Sequence, residues 1–193
     1  AAHEMCKRRF ELAAWEVYEV GKSWREADAD VTESIDFLRY YAREMLRLSV
    51  PQSLGNYSGE QNLYLYRPRG IGLVISPWNF PLAIPTGMVS AAIVTGNCVI
   101  FKPSNLSPVM GYHLTETLEA AGLPRGVLNF LPGDGESVGE YLVRHPGIAF
   151  IAFTGSKAVG LKIVELAGRT FPGQRQIKRV VAEMGGKNAV IVD

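Results

Sequence analysis

The chain has 193 residues, 47% of them hydrophobic and 20% charged, with a formal net charge of +1. That balance of 20 basic and 19 acidic residues excludes a global field for nucleic acid or an anionic membrane, and the longest strongly apolar stretch, residues 89–94, is far below the roughly 20 residues that span a bilayer. Two cysteines, Cys6 and Cys98, with no CxxC, and three scattered histidines exclude a disulfide framework and a zinc site. Lys7-Arg8-Arg9 is followed at once by acids, which fits neither a signal nor a transit peptide, so the expectation is a cytoplasmic α/β protein.

Phe10, Ala13, Ala14, Val17 and Tyr18 recur at helical spacing and predict one helix over residues 5–20, stopped by Gly21. A second helix is expected from near Asp30, with Ile35, Leu38, Tyr41, Ala42, Met45 and Leu46 on its stripe, ending before Pro51. Residues 51–68 hold Gly55, Asn56, Gly59 and the alternating Asn62-Leu63-Tyr64-Leu65-Tyr66, which predicts an arm with an exposed strand or hairpin. From Gly70 the rhythm changes. Strands are expected at 71–76, 98–102, 127–131, 148–153, 179–183 and 189–192, with helices at 83–94, 110–121, 137–144 and 157–167. This alternation predicts a doubly wound parallel sheet whose strands, apolar on both parities, are buried on both faces. The implied division is two helices in residues 1–50, the arm in 51–69, and a Rossmann-like domain in 70–193.

Three glycine-rich turns follow strands. Gly133-Asp134-Gly135-Glu136-Ser137-Val138-Gly139 is one residue longer than the dinucleotide fingerprint, and a tight strand-to-helix turn is the better explanation of it alone. Thr154-Gly155-Ser156, with Gly160, opens a helix whose free N–H groups suit a phosphate. Gly185-Gly186-Lys187-Asn188 lacks the Ser/Thr and upstream Gly of a P-loop, so a Walker-type ATPase is not supported. At strand ends, where α/β folds bind ligands, stand Ser76-Pro77-Trp78-Asn79-Phe80-Pro81, Lys102 and Glu183. Trp78 could be a core plug, Lys102 a solvated cation, and Glu183 either a structural acid or a general base.

Together, Pro77-Trp78-Asn79-Phe80-Pro81, Phe101-Lys102-Pro103-Ser104, Phe153-Thr154-Gly155-Ser156 and Glu183-Met184-Gly185-Gly186-Lys187, in this order, resemble the aldehyde dehydrogenase superfamily. Arg9-Phe10-Glu11-Leu12-Ala13-Ala14, the segment from Gly21 to Val31, and Gln176-Ile177-Lys178-Arg179-Val180 are similar to its Δ1-pyrroline-5-carboxylate (glutamate γ-semialdehyde) dehydrogenase branch, which includes a module of bifunctional proline utilisation proteins.

The resemblance implies that Asn79 donates its amide to an oxyanion and that Glu183 is the base that hydrolyses a thioester. It implies NAD binding by Ile75, Ser76, Pro77, Trp78, Lys102, Ser104, Asn105, Gly135, Gly155, Ser156, Gly160 and Gly185, and substrate contacts from Glu33 and Phe80; no metal is implied. Many NAD-using relatives carry Glu where Asn105 stands, and the neutral side chain leaves NADP open. The superfamily's nucleophilic Cys lies beyond the Glu183 position, whereas Cys6 and Cys98 precede it and read as small buried hydrophobes. The expectation is therefore an N-terminal piece of a larger, homo-oligomeric enzyme that oxidises a small aldehyde. The piece itself is expected to be inactive, and a proline dehydrogenase domain upstream is left open. Another aldehyde dehydrogenase, acting on succinate semialdehyde or betaine aldehyde, or a non-catalytic nucleotide-binding fragment, are the alternatives.

Overall fold

The computed structural model describes residues 1–55 and 57–192; Asn56 of the arm and Asp193 lie outside them. Three helices open the chain where two were expected: α1 (Ala2–Lys7), α2 (Arg9–Val20) and α3 (Trp24–Leu48). The extra break falls at Arg8, whose backbone leaves the helical region (φ −98°, ψ 10°) while its guanidinium bonds Glu11 at 2.7 Å and Glu116 at 2.8 Å. Gly21 ends α2 in the left-handed conformation that glycine adopts freely (φ 72°, ψ 22°), at its predicted position. The start of α3 is a correction, lying at Trp24 rather than near Asp30. Ser23 accepts the Glu26 amide while the Glu26 carboxylate accepts the Ser23 amide, a reciprocal capping box that nucleates the helix upstream.

The arm contains the expected hairpin, reduced to β1 (Gln52–Ser53) paired antiparallel with β2 (Leu63–Tyr64), all four residues exposed. Strands β3 (Ile71–Ile75), β4 (Cys98–Lys102), β5 (Leu128–Phe130), β6 (Ile148–Gly155) and β7 (Arg179–Met184) then form one all-parallel sheet, ordered β5-β4-β3-β6-β7. Helices α4 (Ala83–Val94), α5 (Pro108–Ala120), α6 (Glu140–Arg144) and α7 (Lys157–Ala167) connect them, with a π-helical turn at Gly135–Gly139 leading into α6. Residues 189–192 form no strand, contrary to expectation: Val190, Ile191 and Val192 are 87–92% exposed, with no neighbour against which to pack. The outer strand β7 is half-buried on one face and exposed on the other, with Val181 exposed, so burial on both faces holds for β3, β4 and β6 and not for this edge.

Two apolar layers sandwich the sheet. On one face α1–α5 pack Met5, Leu12, Val31, Val89, Met110 and Leu114 against Val74, Val99 and Phe101. On the other, Leu142, Val143, Ile163 and Leu166 of α6 and α7 pack against Leu73, Ile151 and Phe153. The alternation Leu73/Val74 along central β3 feeds both layers, as a doubly wound sheet requires.

The cysteines are a second correction. Both are exposed: Cys98 occupies the amino end of β4, and Cys6 faces outward on α1, 3.7 Å from an Arg39 guanidinium nitrogen. An amino-terminal strand residue sits beyond the packed layers, which is why periodicity within the strand misplaced it.

The N-terminus of α5 shows how these layers are tied. Ser107 makes no side-chain cap; instead Glu19 of α2 accepts the Val109 and Met110 amides at 2.7 and 2.8 Å. Replacing Glu19 by Ala should cost about 1–2 kcal/mol in denaturant unfolding, the usual worth of a lost cap. A change within a few tenths would show that water caps α5 equally well.

Candidate active site

From β3 the chain winds outward through β4 to β5, then returns to place β6 and β7 on the other side of β3. The carboxyl ends of β3 and β6 therefore flank the point where strand order reverses, and a cavity of about 840 Å³ opens there. The loop after β3 supplies Ile75, Ser76, Pro77, Trp78, Asn79 and Phe80, that after β4 supplies Lys102, Ser104 and Asn105, and the turn after β5 supplies Gly135. Gly155 and Ser156 follow β6, while Glu183 and Gly185 come from β7 and its exit.

Two residues singled out from the sequence stand elsewhere. Gly160 does not line the cavity; a Cβ there would lie 2.6 Å from the Met184 sulfur and 3.1 Å from the Phe153 ring, so its role is to let α7 lie close on β6 and β7. Glu33 is exposed on α3 and borders none of the cavity. Conversely, sequence reading missed Val159, Lys162, Ile163 and Leu166, one face of α7 that walls the cavity beside Val143 and Glu140 of α6. Their i, i+3, i+4, i+7 spacing was the available signal. Lys162 and Glu140 form a 2.7 Å ion pair on this wall.

Lys102 is 5% exposed, and its Nζ has one partner, the Pro103 carbonyl at 3.0 Å. Burial pulls its pKa down, with Asp134 opposing the shift. Two ammonium N–H donors remain for a ligand in the cavity, because an ammonium carries three. Ser156 caps α7 by accepting the Val159 amide at 3.4 Å, which leaves its hydroxyl proton to donate outward at a helix N-terminus.

A second, more apolar cavity of about 600 Å³ lies on the α3–α4 side of the sheet, lined by Phe37, Tyr41, Met45, Met88, Phe150 and Val181 among others. Ile84, Phe153, Thr154 and Glu183 line both cavities. Glu183 and Thr154 are register partners across β6 and β7, so the exposed carboxylate stands where the two spaces meet.

Beneath the Asn79–Phe80 loop lies a buried charge cluster that sequence reading did not foresee. Lys22 Nζ is bonded to Asp30, lies 3.4 Å from Glu16, and sits 4.2 Å from the centroid of the Phe80 ring. Glu16 is fully buried and neither of its oxygens has a hydrogen-bond partner. Desolvation first, and the Asp30 charge second, push its pKa up to about 9. With Glu16 protonated, the cluster of one cation and one anion is neutral.

Fold and cavity together define a doubly wound α/β domain with an open cavity at its topological switch point. The chain belongs to the aldehyde dehydrogenase family, whose match extends over residues 1–193. It is 54% identical to a 1-pyrroline-5-carboxylate dehydrogenase of Geobacillus thermodenitrificans and 51% identical to one of Bacillus subtilis, each over all 193 residues. The chain spans 38% of the length of these relatives. A solved structure of 1-pyrroline-5-carboxylate dehydrogenase from Thermus with bound NAD superposes with TM-score 0.94 at 55% identity, over 96% of this chain and 36% of that one. Proline utilization A from Bdellovibrio bacteriovorus, inactivated by N-propargylglycine, also matches with TM-score 0.94, at 54% identity over 96% of this chain and 19% of its own.

Proposed function

We propose that the gene product carrying this chain oxidises L-glutamate γ-semialdehyde, the open form of Δ1-pyrroline-5-carboxylate, to L-glutamate with a nicotinamide dinucleotide as oxidant. The observation that carries this reading is the convergence of the loops after β3, β4 and β6 on one cavity, in a chain more than half identical to enzymes named for that substrate.

The residues fit a dinucleotide. Lys102 has spare donors for ribose hydroxyls, Ser156 and the α7 N-terminus suit a pyrophosphate, and the apolar wall of Val143, Val159, Ile163 and Leu166 suits a flat base. Ile75, Ser76, Pro77, Trp78, Ser104, Gly135, Gly155 and Gly185 border the same space. When bound, the cofactor supplies the hydride acceptor. The preferred cofactor is NAD; Asn105, which is neutral and borders the cavity, lacks the charge that would repel a 2′-phosphate and leaves NADP open.

On the protein side, Asn79 presents an exposed amide in the cavity, where it would donate to the oxygen of an aldehyde as it gains negative charge. Glu183 would take a proton from the water that releases the acid product. Neither Cys6 nor Cys98 supplies the superfamily's thiolate. Cys98 stands at the amino end of β4, roughly 13 Å of strand from Lys102 at about 3.3 Å per residue. The 193-residue chain alone is accordingly proposed to form no NADH from aldehyde. Glu33 is kept as a substrate contact only through the resemblance, since it lies on an exposed helix face.

The remaining parts of the reading follow from placement. Residues 1–50 brace the dinucleotide domain 70–193, and the 51–69 hairpin pairs subunits of a homo-oligomer through its exposed edge. A proline dehydrogenase domain fused upstream would accord with the match to proline utilization A. No helix among the described residues is long and apolar enough to cross a membrane, and the cytoplasm is the proposed site of action. The test is absorbance at the NADH band with the full gene product, NAD or NADP, and glutamate, succinate and betaine aldehydes in parallel. Preference for glutamate semialdehyde supports the reading; equal or greater turnover of another aldehyde replaces the substrate, and no turnover of any leaves a binding module.

A further inference from the structure

The loop that holds Asn79 and Phe80 is fixed from below by groups on α3 and on the turn that precedes it. Helix α4 starts immediately after this loop, and its N-cap, Leu82, offers no side-chain acceptor. The missing acceptor comes from α3: Asp30, 1% exposed, takes the Ala83 amide on Oδ1 at 2.6 Å. Its other oxygen, Oδ2, holds Lys22 Nζ. Lys22 comes from the turn between α2 and α3, and its ammonium lies 4.2 Å from the Phe80 ring centroid, within cation–π range. One buried carboxylate therefore grips both ends of the segment, the Ala83 backbone directly and the Phe80 ring through Lys22.

We infer that Lys22 and Asp30 are positioning residues that hold the Asn79–Phe80 loop in the geometry needed for aldehyde oxidation, an inference that rests on the function proposed above. They touch neither aldehyde nor dinucleotide in that reading. Asn79 directly precedes the segment Phe80–Ala83 that is anchored at both ends, so the fixed Phe80 limits how far Asn79 can drift. Misplacement of a catalytic donor by about 1 Å can cost a hundredfold in rate, so the expected effect falls on kcat. The dinucleotide loops after β4 and β6 lie outside the grip and should be unaffected.

The experiment compares Lys22→Met, Lys22→Arg, Asp30→Asn and Arg9→Met in the full gene product. Arg9 makes a bidentate pair with Asp28, both bonds 2.6 Å, which also ties α2 to α3 but does not touch the loop. Lys22→Met should lower kcat at least about tenfold while the KM for the dinucleotide stays within about twofold. Arginine, which keeps a cation on Phe80, should restore most of the rate. Asp30→Asn keeps an acceptor for the Ala83 amide and should show the same kcat-selective loss in smaller degree. Hydrogen exchange of the Asn79, Phe80, Leu82 and Ala83 amides should quicken in Lys22→Met, with the amides after β6 unchanged. Wild-type kcat in Lys22→Met, or an equal loss in Arg9→Met, would overturn the inference. If the wild-type protein turns over no aldehyde, the functional reading fails by itself. The exchange rates then still decide the grip: unchanged loop amides in Lys22→Met refute it.

Discussion

Replacing Asn79 by alanine in the full gene product should lower kcat for aldehyde oxidation by about 10²–10³-fold, the usual cost of removing one preorganised oxyanion donor. The side chain lines the cavity on the loop after β3, at the carboxyl edge of the sheet and outside the apolar layers, so its removal leaves the fold intact. Asn79→Asp should be at least as harmful, because a carboxylate placed there repels the developing negative charge instead of donating to it. The KM for the dinucleotide should change little in either variant, since Lys102 and Ser156 remain in place. Steady-state kinetics with the dinucleotide saturating checks this, and a loss confined to KM would remove Asn79 from the reacting centre.

Glutamine at position 16 should stabilise the protein by about 3 kcal/mol near pH 7 and by more at alkaline pH, and the gain should vanish near pH 4.5. Glu16 is fully buried without a hydrogen-bond partner, and burial, helped by the Asp30 charge and opposed by Lys22, pushes its pKa from the ordinary 4.5 up to about 9. Between those values the folded chain holds a proton that the unfolded chain has released. The native state therefore loses stability as pH rises from 4.5 towards 9, at up to about 1.4 kcal/mol per unit. Glutamine has the same shape and no proton to hold, so its curve lacks that slope. Chemical denaturation of both proteins at pH 5, 7 and 8.5 reads the difference. Parallel curves would mean that Glu16 is ionised in the fold and paired with Lys22.

Much of the fold was legible because a parallel sheet buried on both faces leaves runs of apolar residues at fixed intervals. The strand expected at residues 98–102 coincides with β4, and the others match to within two residues, apart from the unformed one at 189–192. That last run shows the limit: apolar composition specifies a strand only where a neighbour exists to receive it. The start of α3 could have been found, since Ser23 followed by Glu26 is a capping box in plain view. The break at Arg8 could not, because Glu116, one of the groups that hold it, lies more than a hundred residues away.

The candidate site divides along the same line. Loops at the carboxyl ends of β3, β4 and β6 announce themselves by Pro, Gly, Trp and Asn in short order, and the fold brings them to one cavity. Gly160, by contrast, reads as a ligand glycine in the sequence but lies against Met184 and Phe153 outside the cavity lining; both uses demand close approach and only the neighbour differs. The Glu16–Lys22–Asp30 cluster was invisible for the opposite reason. Glu16 and Asp30 lie on helices and Lys22 in the turn between them, and only the packing of α2 and α3 beneath the Phe80 loop turns three ordinary charges into a buried group.

The central claim is that the cavity at the switch point receives a nicotinamide dinucleotide. Hydrogen exchange of the protein with and without saturating NAD tests it most directly. The account predicts slowed exchange at Ser76–Asn79, Lys102–Asn105 and the Gly155–Val159 amides, with no change along α3. Protection confined to the apolar cavity lined by Phe37, Tyr41 and Met45, or none anywhere while NAD is bound, would contradict it.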